Sequence, residues 1–547
     1  MYLVLAFILM TLPAATLLLI IRLTDQGGTD AYYHFSLIDS IRANRYRFVS
    51  DTKFFLIKPD MPYPQLVHWC MSFLPDGITR RAGSYLSVVF VQFSAWLFGG
   101  FVWTVYPDLF PVGGPSRDQF LCLAVVFYVF TPYAFYTGNA KNTGLSARAV
   151  GLFLVEGFFY SIALYFLGWG DLFLYIASGL ALLVILSSIF GMQCIFFVTA
   201  LTALLTQDPW LLLPPVIGLA LFILLFPRFS IAYLRGWLYH KYYYCKFSAK
   251  YWFSGRPSIW RDLVLDIWTP GRRAKQEDQR TGGLHGFLSS VYWPLHYAHG
   301  NSVVLVLFGL PAVAISMCVG IYMVLSTLGV PAEFTNVTLF MYALVGSALL
   351  VFLMTSFKGT RFLGEPERYV EPVNVMAAIL LSIFIINHQE FLVYAVFVVV
   401  FLFLAFLGMQ ASDRIVSRFA FDDQKRLLSI RSRLLEIADS LDEPPRVLAN
   451  EVFASRSMMS LKLRLVYGFM PIRVGGLSNP EVLLEDREFR LTHMAHLVRY
   501  YNVDHLLIKS EDMDKYVLEM ERQGLRLVPI LKSDTYSLFS VSSREIS

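Results

Sequence analysis

The chain has 547 residues, of which 56% are hydrophobic and only 16% charged, against about 25% charged in a soluble domain. That excludes an ordinary soluble protein and a disordered one. A net charge of +5 is too small to suggest nucleic acid, and the five cysteines (Cys70, Cys122, Cys194, Cys245, Cys318) show neither CxxC nor metal-ligand spacing.

Residues 1–23 form an apolar run with no charged start and no small-residue cleavage site, which reads as a retained first span. Further runs lie near 83–106, 118–137, 149–168, 172–189, 191–206, 211–226, 302–326, 337–357, 373–387 and 391–409. Each approaches the roughly 20 residues that a hydrocarbon core of about 30 Å requires. The expected fold is therefore a polytopic α-helical membrane protein of about 11 spans. Gly191 and Gln193 could sit in a short turn or inside one bent helix across 172–206. Residues 1–409 form the transmembrane domain on this reading. Two long polar, aromatic segments, 24–81 and 228–301, are expected to lie as helices in the interface.

Residues 410–547 are richer in charge. An amphipathic stretch, 423–440, ends before Glu443-Pro444-Pro445. A strand at 447–449, a helix at 487–501, a strand at 503–508, a helix at 511–523 and strands at 525–531 and 536–541 follow. Strands alternating with helices predict a small soluble α/β domain. Within it, Asp504 and His505 stand at a strand entry, which favours structural roles.

An odd number of spans places both long segments and the C-terminal domain on one side. Their many arginines and lysines would put that side in the cytoplasm, but the charge rule is calibrated on loops below about 60 residues. The motifs below favour a cytoplasmic N-terminus and an extracytoplasmic C-terminal domain.

Asp30 opens the run Asp30-Ala31-Tyr32-Tyr33-His34-Phe35 just after the first span. A carboxylate at the membrane boundary can take up or orient an acceptor's proton during sugar transfer. It equally suits a cap on a helix starting at Ala31. Between two later spans lies 358–371, containing Arg361, Glu365, Glu367, Arg368 and Tyr369. Planar guanidiniums bind phosphate through paired hydrogen bonds, so Arg361 and Arg368 are candidates for a lipid phosphate. Glu365 or Glu367 could complete a site for Mg²⁺ or Mn²⁺ with Asp30, because hard cations prefer carboxylate oxygens. Arg148 could join the phosphate site or anchor a helix end. Glu156, inside an apolar run, should face protein and make a structural hydrogen bond. His296 and His299 are spaced i, i+3, but without a nearby HExxH-like carboxylate they make poor zinc evidence. No GxSxG, Walker A or strand-linked GxGxxG pattern appears.

The layout and the segments 30–35 and Met61-Pro62-Tyr63-Pro64-Gln65-Leu66-Val67-His68 resemble the GT-C superfamily of membrane glycosyltransferases. That superfamily includes oligosaccharyltransferase catalytic subunits and protein mannosyltransferases. The resemblance implies a catalytic Asp30 in the first external loop, with Asp25 as second choice, and interface helices at 32–46 and 65–73. It also implies a pocket around Asp25, Tyr33, His34, Tyr63, His68 and Tyr369. A WWD-type signature is missing, as is a DxD-like motif at 138–148, which puts transfer to asparagine and a two-motif metal site in doubt. The expected activity is inverting transfer of a sugar or oligosaccharide from a polyprenyl-(di)phosphate donor to a glycan, lipid or protein, outside a prokaryotic cell membrane. The rival is a lipid-linked-saccharide flippase or transporter, although no repeat is visible and the charges gather at one membrane face. A polymerase or ligase of another fold would share the substrate.

Overall fold

The computed structural model describes residues 1–24, 28–49, 55–57, 61–83, 85–111, 113–131, 145, 147–243, 306–307, 309–327, 335–357, 360, 363–364, 366–450, 452–466 and 487–543. They divide into two compact units. The first is Met1–Gln26, Ser84–Phe226 and Phe253–Ile415; the second is Gly27–Gly83, Pro227–Trp252 and Val416–Ser547. The first polar segment and the start of the second thus group with the C-terminal residues rather than with the spans.

In the first unit the apolar runs are helices: α1 is Tyr2–Thr24. In the second, α2 (Gly28–Ala43), α3 (Leu66–Ser72) and α4 (Asp76–Gly83) build the first polar segment. The first unit resumes with α5 (Leu86–Leu109), α6 (Arg117–Val129), α7 (Ala147–Phe166), α8 (Leu172–Ser187), α9 (Ile189–Thr206) and α10 (Leu213–Leu225). After α11 (Pro227–Tyr243) come α12 (Pro311–Thr327), α13 (Asn336–Thr355), the short α14 (Glu367–Val370), α15 (Asn374–Asn387) and α16 (Leu392–Asp439). Among the described residues six helical stretches are long and apolar enough to cross a membrane. The chain is a polytopic helical membrane protein. Side chains such as Phe7, Trp96, Leu204 and Leu350 are exposed on these helices, as lipid-facing positions are and a water-facing surface is not.

The 172–206 stretch is two helices. Ser188 breaks it with extended backbone (φ −151°, ψ 121°), and its hydroxyl accepts from the Gly191 N–H at the start of α9, the usual service of a serine cap. The amphipathic stretch expected at 423–440 is the end of α16, a single helix of 48 residues.

Two spans are more enclosed than the rest. Buried residues make up 67% of the window in α7 and 83% of that from Glu367 to Asn387, against 28–56% in the other four. These are the spans that carry Arg148, Glu156, Arg368, Glu371 and Asn374. Ionisable groups at membrane depth face protein because hydrocarbon cannot solvate them.

The second unit is built on a five-stranded sheet: β1 (Arg446–Ala449), β2 (Arg464–Leu465), β3 (His505–Lys509), β4 (Leu525–Lys532) and β5 (Tyr536–Ser543), in the order β2-β1-β3-β5-β4. β1 runs parallel to both β2 and β3, while β5 is antiparallel to β3 and β4. Val447-Leu448-Ala449 and Leu506-Leu507-Ile508 are apolar throughout because both faces of the sheet are covered. One face, with Leu448, Leu506, Ile508 and Phe539, packs on Met494 and Val498 of α18 (Arg487–Tyr500; α17 is Val452–Ser457) and on Tyr516 and Met520 of α19 (Met513–Arg522). The other, with Val447, Ala449, Leu507 and Leu538, packs on Leu427, Ile430 and Leu434 of α16 and on Tyr33, Leu37 and Ile41 of α2. The spacing i, i+4, i+8 is a single face of α2. Residues 55–57 extend the sheet beside β2: the Leu56 and Ile57 N–H groups donate to Leu465 O (2.8 Å) and Val466 O (2.9 Å).

Candidate functional site

In the second unit the first polar segment is cross-braced. The Arg42 guanidinium, at the end of α2, donates from Nε to Ser72 O (3.0 Å) and from Nη2 to Leu74 O (2.5 Å) and Thr79 Oγ1 (2.8 Å). Its Nη1 reaches Asp76 (3.1 Å) and Asp39 (3.5 Å). Gln65 pairs with the Val49 backbone in both senses, at 2.9 and 2.5 Å. Hydrogen bonds from Arg80 hold the Asp76 carboxyl below its ordinary range, while burial raises Asp39. Arg42 thereby fastens α2 to the α3–α4 corner.

This bracing brings together four of the expected pocket residues. His34 Nδ1 and His68 Nε2 are 2.8 Å apart, and their rings stack with centroids at 4.9 Å. Tyr63 sets its ring edge-on to both at 5.5 Å and to Tyr33 at 5.5 Å. His68 is fully buried. Burial, and then the neighbouring His34, hold its ring well below the usual histidine range. One imidazole donates and the other accepts, so the contact requires a lone pair on one of the two nitrogens. Asp30 stands one turn before His34 in α2. The helix begins at Gly28, so Asp30 is its third residue rather than a cap on a helix starting at Ala31. Asp25 lies outside the described residues.

Sequence reasoning missed Arg431 of α16, whose guanidinium lies 5.0 Å from the Tyr32 ring centroid. Burial lowers the pKa of Arg431 and raises that of Tyr32. Nothing in local spacing links positions so far apart in the chain.

In the first unit, two of the arginines expected to bind phosphate meet at one ring. Arg368 lies 3.8 Å from the Phe190 centroid and Arg148 lies 5.9 Å from it. The face of an aromatic ring attracts guanidinium, which brings the first turns of α7 and α14 to the start of α9. Gly364 lies against the same ring. Its φ of +128° suits only glycine, and a Cβ there would stand 3.1 Å from Phe190 Cε1 and 3.3 Å from Gln193 Oε1. Tyr369, expected in the pocket, is buried, and its hydroxyl donates to Leu363 O (2.5 Å) and lies 3.4 Å from Gln193 Oε1. In the sequence Phe190 falls between two apolar runs and Gln193 in a possible turn, with nothing to link either to the arginines.

Glu367 is buried, while Arg361 and Glu365 lie outside the described residues. So do His296 and His299. Among the described residues no three His, Cys, Asp or Glu side chains gather as a metal would require.

No family model matches the chain. No curated protein matches it either. Among solved structures it is similar to the Archaeoglobus fulgidus oligosaccharyltransferase, determined as a complex with Zn and sulfate. Identity is 13% over 95% of this chain and 69% of that one, with a TM-score of 0.49. It is also similar to ArnT from Cupriavidus metallidurans bound to undecaprenyl phosphate, at 13% identity over 98% of this chain and 97% of that one, with a TM-score of 0.39.

Proposed function

We propose that the protein is an inverting membrane glycosyltransferase that uses a polyprenyl-phosphate- or polyprenyl-diphosphate-linked sugar. The observation that carries this reading is the meeting of Arg148 and Arg368 at Phe190. Two guanidiniums on the two most enclosed apolar spans suit a phosphate carried by a membrane lipid, which a soluble anion site would not need to place there.

In the proposed reaction an acceptor oxygen or nitrogen attacks the anomeric carbon of the sugar. The bond from that carbon to the phosphate oxygen breaks, and the phosphate leaves with the electron pair. Asp30 takes or orients the acceptor's proton. Arg148, Arg368 and Arg361 hold the phosphate and offset the charge it gains. Mg²⁺ or Mn²⁺ would supply a Lewis acid for the same charge, with Glu367 a candidate ligand beside the arginines. The His34–His68–Tyr63 cluster keeps α2, and Asp30 with it, in a fixed place. The reaction belongs on the extracytoplasmic side of a prokaryotic cell membrane, with the N-terminus in the cytoplasm.

The test is donor dependence in Arg148→Gln, Arg368→Gln and the double variant. Loss of charge-assisted hydrogen bonds worth about 1.5–3 kcal/mol should raise the donor KM roughly tenfold to a hundredfold, while the acceptor KM stays put. An unchanged donor KM in the double variant contradicts the assignment. If the parent transfers no sugar from any lipid-linked donor but moves one across vesicles, the protein is a flippase.

A further inference from the structure

Glu156 and Glu371 line a cavity of about 50 Å³ within the first unit, together with Tyr128, Thr131, Asn374 and Pro13. This is room for a small ion with a water beside it, since a water occupies roughly 30 Å³ of liquid. Both glutamates have other polar interactions, so two acidic side chains do not by themselves define the cavity. Asn374 does. It is 4% exposed, and its Nδ2 donates to Thr131 Oγ1 at 2.9 Å, while Oδ1 has no hydrogen-bond partner among the described residues. The Thr131 hydroxyl in turn donates to Phe127 O (3.3 Å), leaving it nothing to offer Asn374. A buried carbonyl oxygen without a donor is costly, because it gives up water and gains nothing in return.

On an otherwise largely apolar wall, the other polar groups are the two carboxylates and the hydroxyls of Ser94, Tyr128 and Thr131. No Lys, Arg or His is among its lining residues. The helices on two sides are irregular: Pro13 removes a backbone donor inside α1, and the 3-10 turn Glu371–Val373 interrupts the span between α14 and α15. Broken helices with oxygen ligands at membrane depth are how small cations are held between spans.

We propose that this cavity binds one small hard cation through Asn374 Oδ1 and the carboxylates of Glu156 and Glu371. The proposal does not depend on the transferase reading. Its ligand ties α7 to the broken span, so occupancy stabilises the spans that carry Arg148 and Arg368.

The purified full-length protein would be unfolded thermally in choline chloride, and in NaCl, KCl or MgCl2 at matched ionic strength. The parent, Asn374→Leu, Asn374→Asp, Thr131→Val and Glu156→Gln would be compared. The parent should unfold at a higher temperature with at least one inorganic cation than with choline. Asn374→Leu and Glu156→Gln should lose that increment, while Asn374→Asp, which keeps an oxygen, should retain it. If Asn374→Leu does not fold, Glu156→Gln against Asn374→Asp decides the matter. Thr131→Val removes Asn374's partner but leaves Oδ1, and should keep the increment. No increment in the parent overturns the proposal, as does an increment of the same size in the folded Asn374→Leu or Glu156→Gln variant.

Discussion

His68 shows how one buried side chain ties stability to pH. In the unfolded chain a histidine takes its proton near pH 6.5, whereas burial and His34 depress that affinity in the folded protein. Between those two values the unfolded chain binds more protons, so stability rises with pH across the window and is complete above it. Acidification from about pH 7 to about pH 5 should therefore lower the unfolding temperature of the second unit. His68→Gln should flatten that dependence relative to the parent, and an unchanged slope would place the titrating group elsewhere. His505 is depressed by burial in the same way, so the variant should keep some slope. At Gly364 the constraint is steric. Gly364→Ala puts a Cβ at φ +128° within 3.1 Å of Phe190, and strain of this kind costs about 1–3 kcal/mol. It should lower the unfolding temperature and raise the donor KM together. A variant with parental stability and KM would show that the ring can give way.

At the scale of elements, α2 is the piece on which the most converges. Leu37 and Ile41 are about 1% and 0% exposed against the sheet, beside Leu434 of α16. Leu37→Ala should cost about 2–5 kcal/mol and open the first polar segment to protease while leaving the membrane helices intact. Equal protease resistance in parent and variant would mean that α2 is held by the Arg42 bracing alone. Little of this packing was legible in the sequence. The apolar runs were, because a span needs about 20 such residues and few other structures do. The strands at 447–449 and 503–508 were as well, since parallel strands buried on both faces read as unbroken apolar runs. The break at Ser188 was placed a few residues late, at Gly191 and Gln193, because a serine cap inside a hydrophobic stretch leaves no change in hydropathy. α2 starts at Gly28, ahead of the expected starts at Ala31 or Tyr32, because Gly28 and Thr29 look like loop.

For the whole molecule, the division into units runs across the chain order. Residues 27–83 and 416–547 share one core, a pairing that no local pattern records. The candidate site was legible to the extent that its residues are chemically distinctive. Tyr33, His34, Tyr63 and His68 stand out as aromatics and histidines in a polar segment, and the structure packs them together. Arg148 and Arg368 stand out as charges at the edges of apolar runs, and they meet at a phenylalanine that does not stand out at all. Arg431, on an amphipathic helix among many charges, was hidden for the same reason. The most direct measurement of the proposed chemistry is release of polyprenyl phosphate from a panel of lipid-linked sugars by the purified parent and by Asp30→Asn. The account predicts that the folded variant loses at least the roughly 10²-fold contributed by a general base. A variant that is folded and releases phosphate at the parental rate would contradict it, and would leave Asp30 as a helix-start residue.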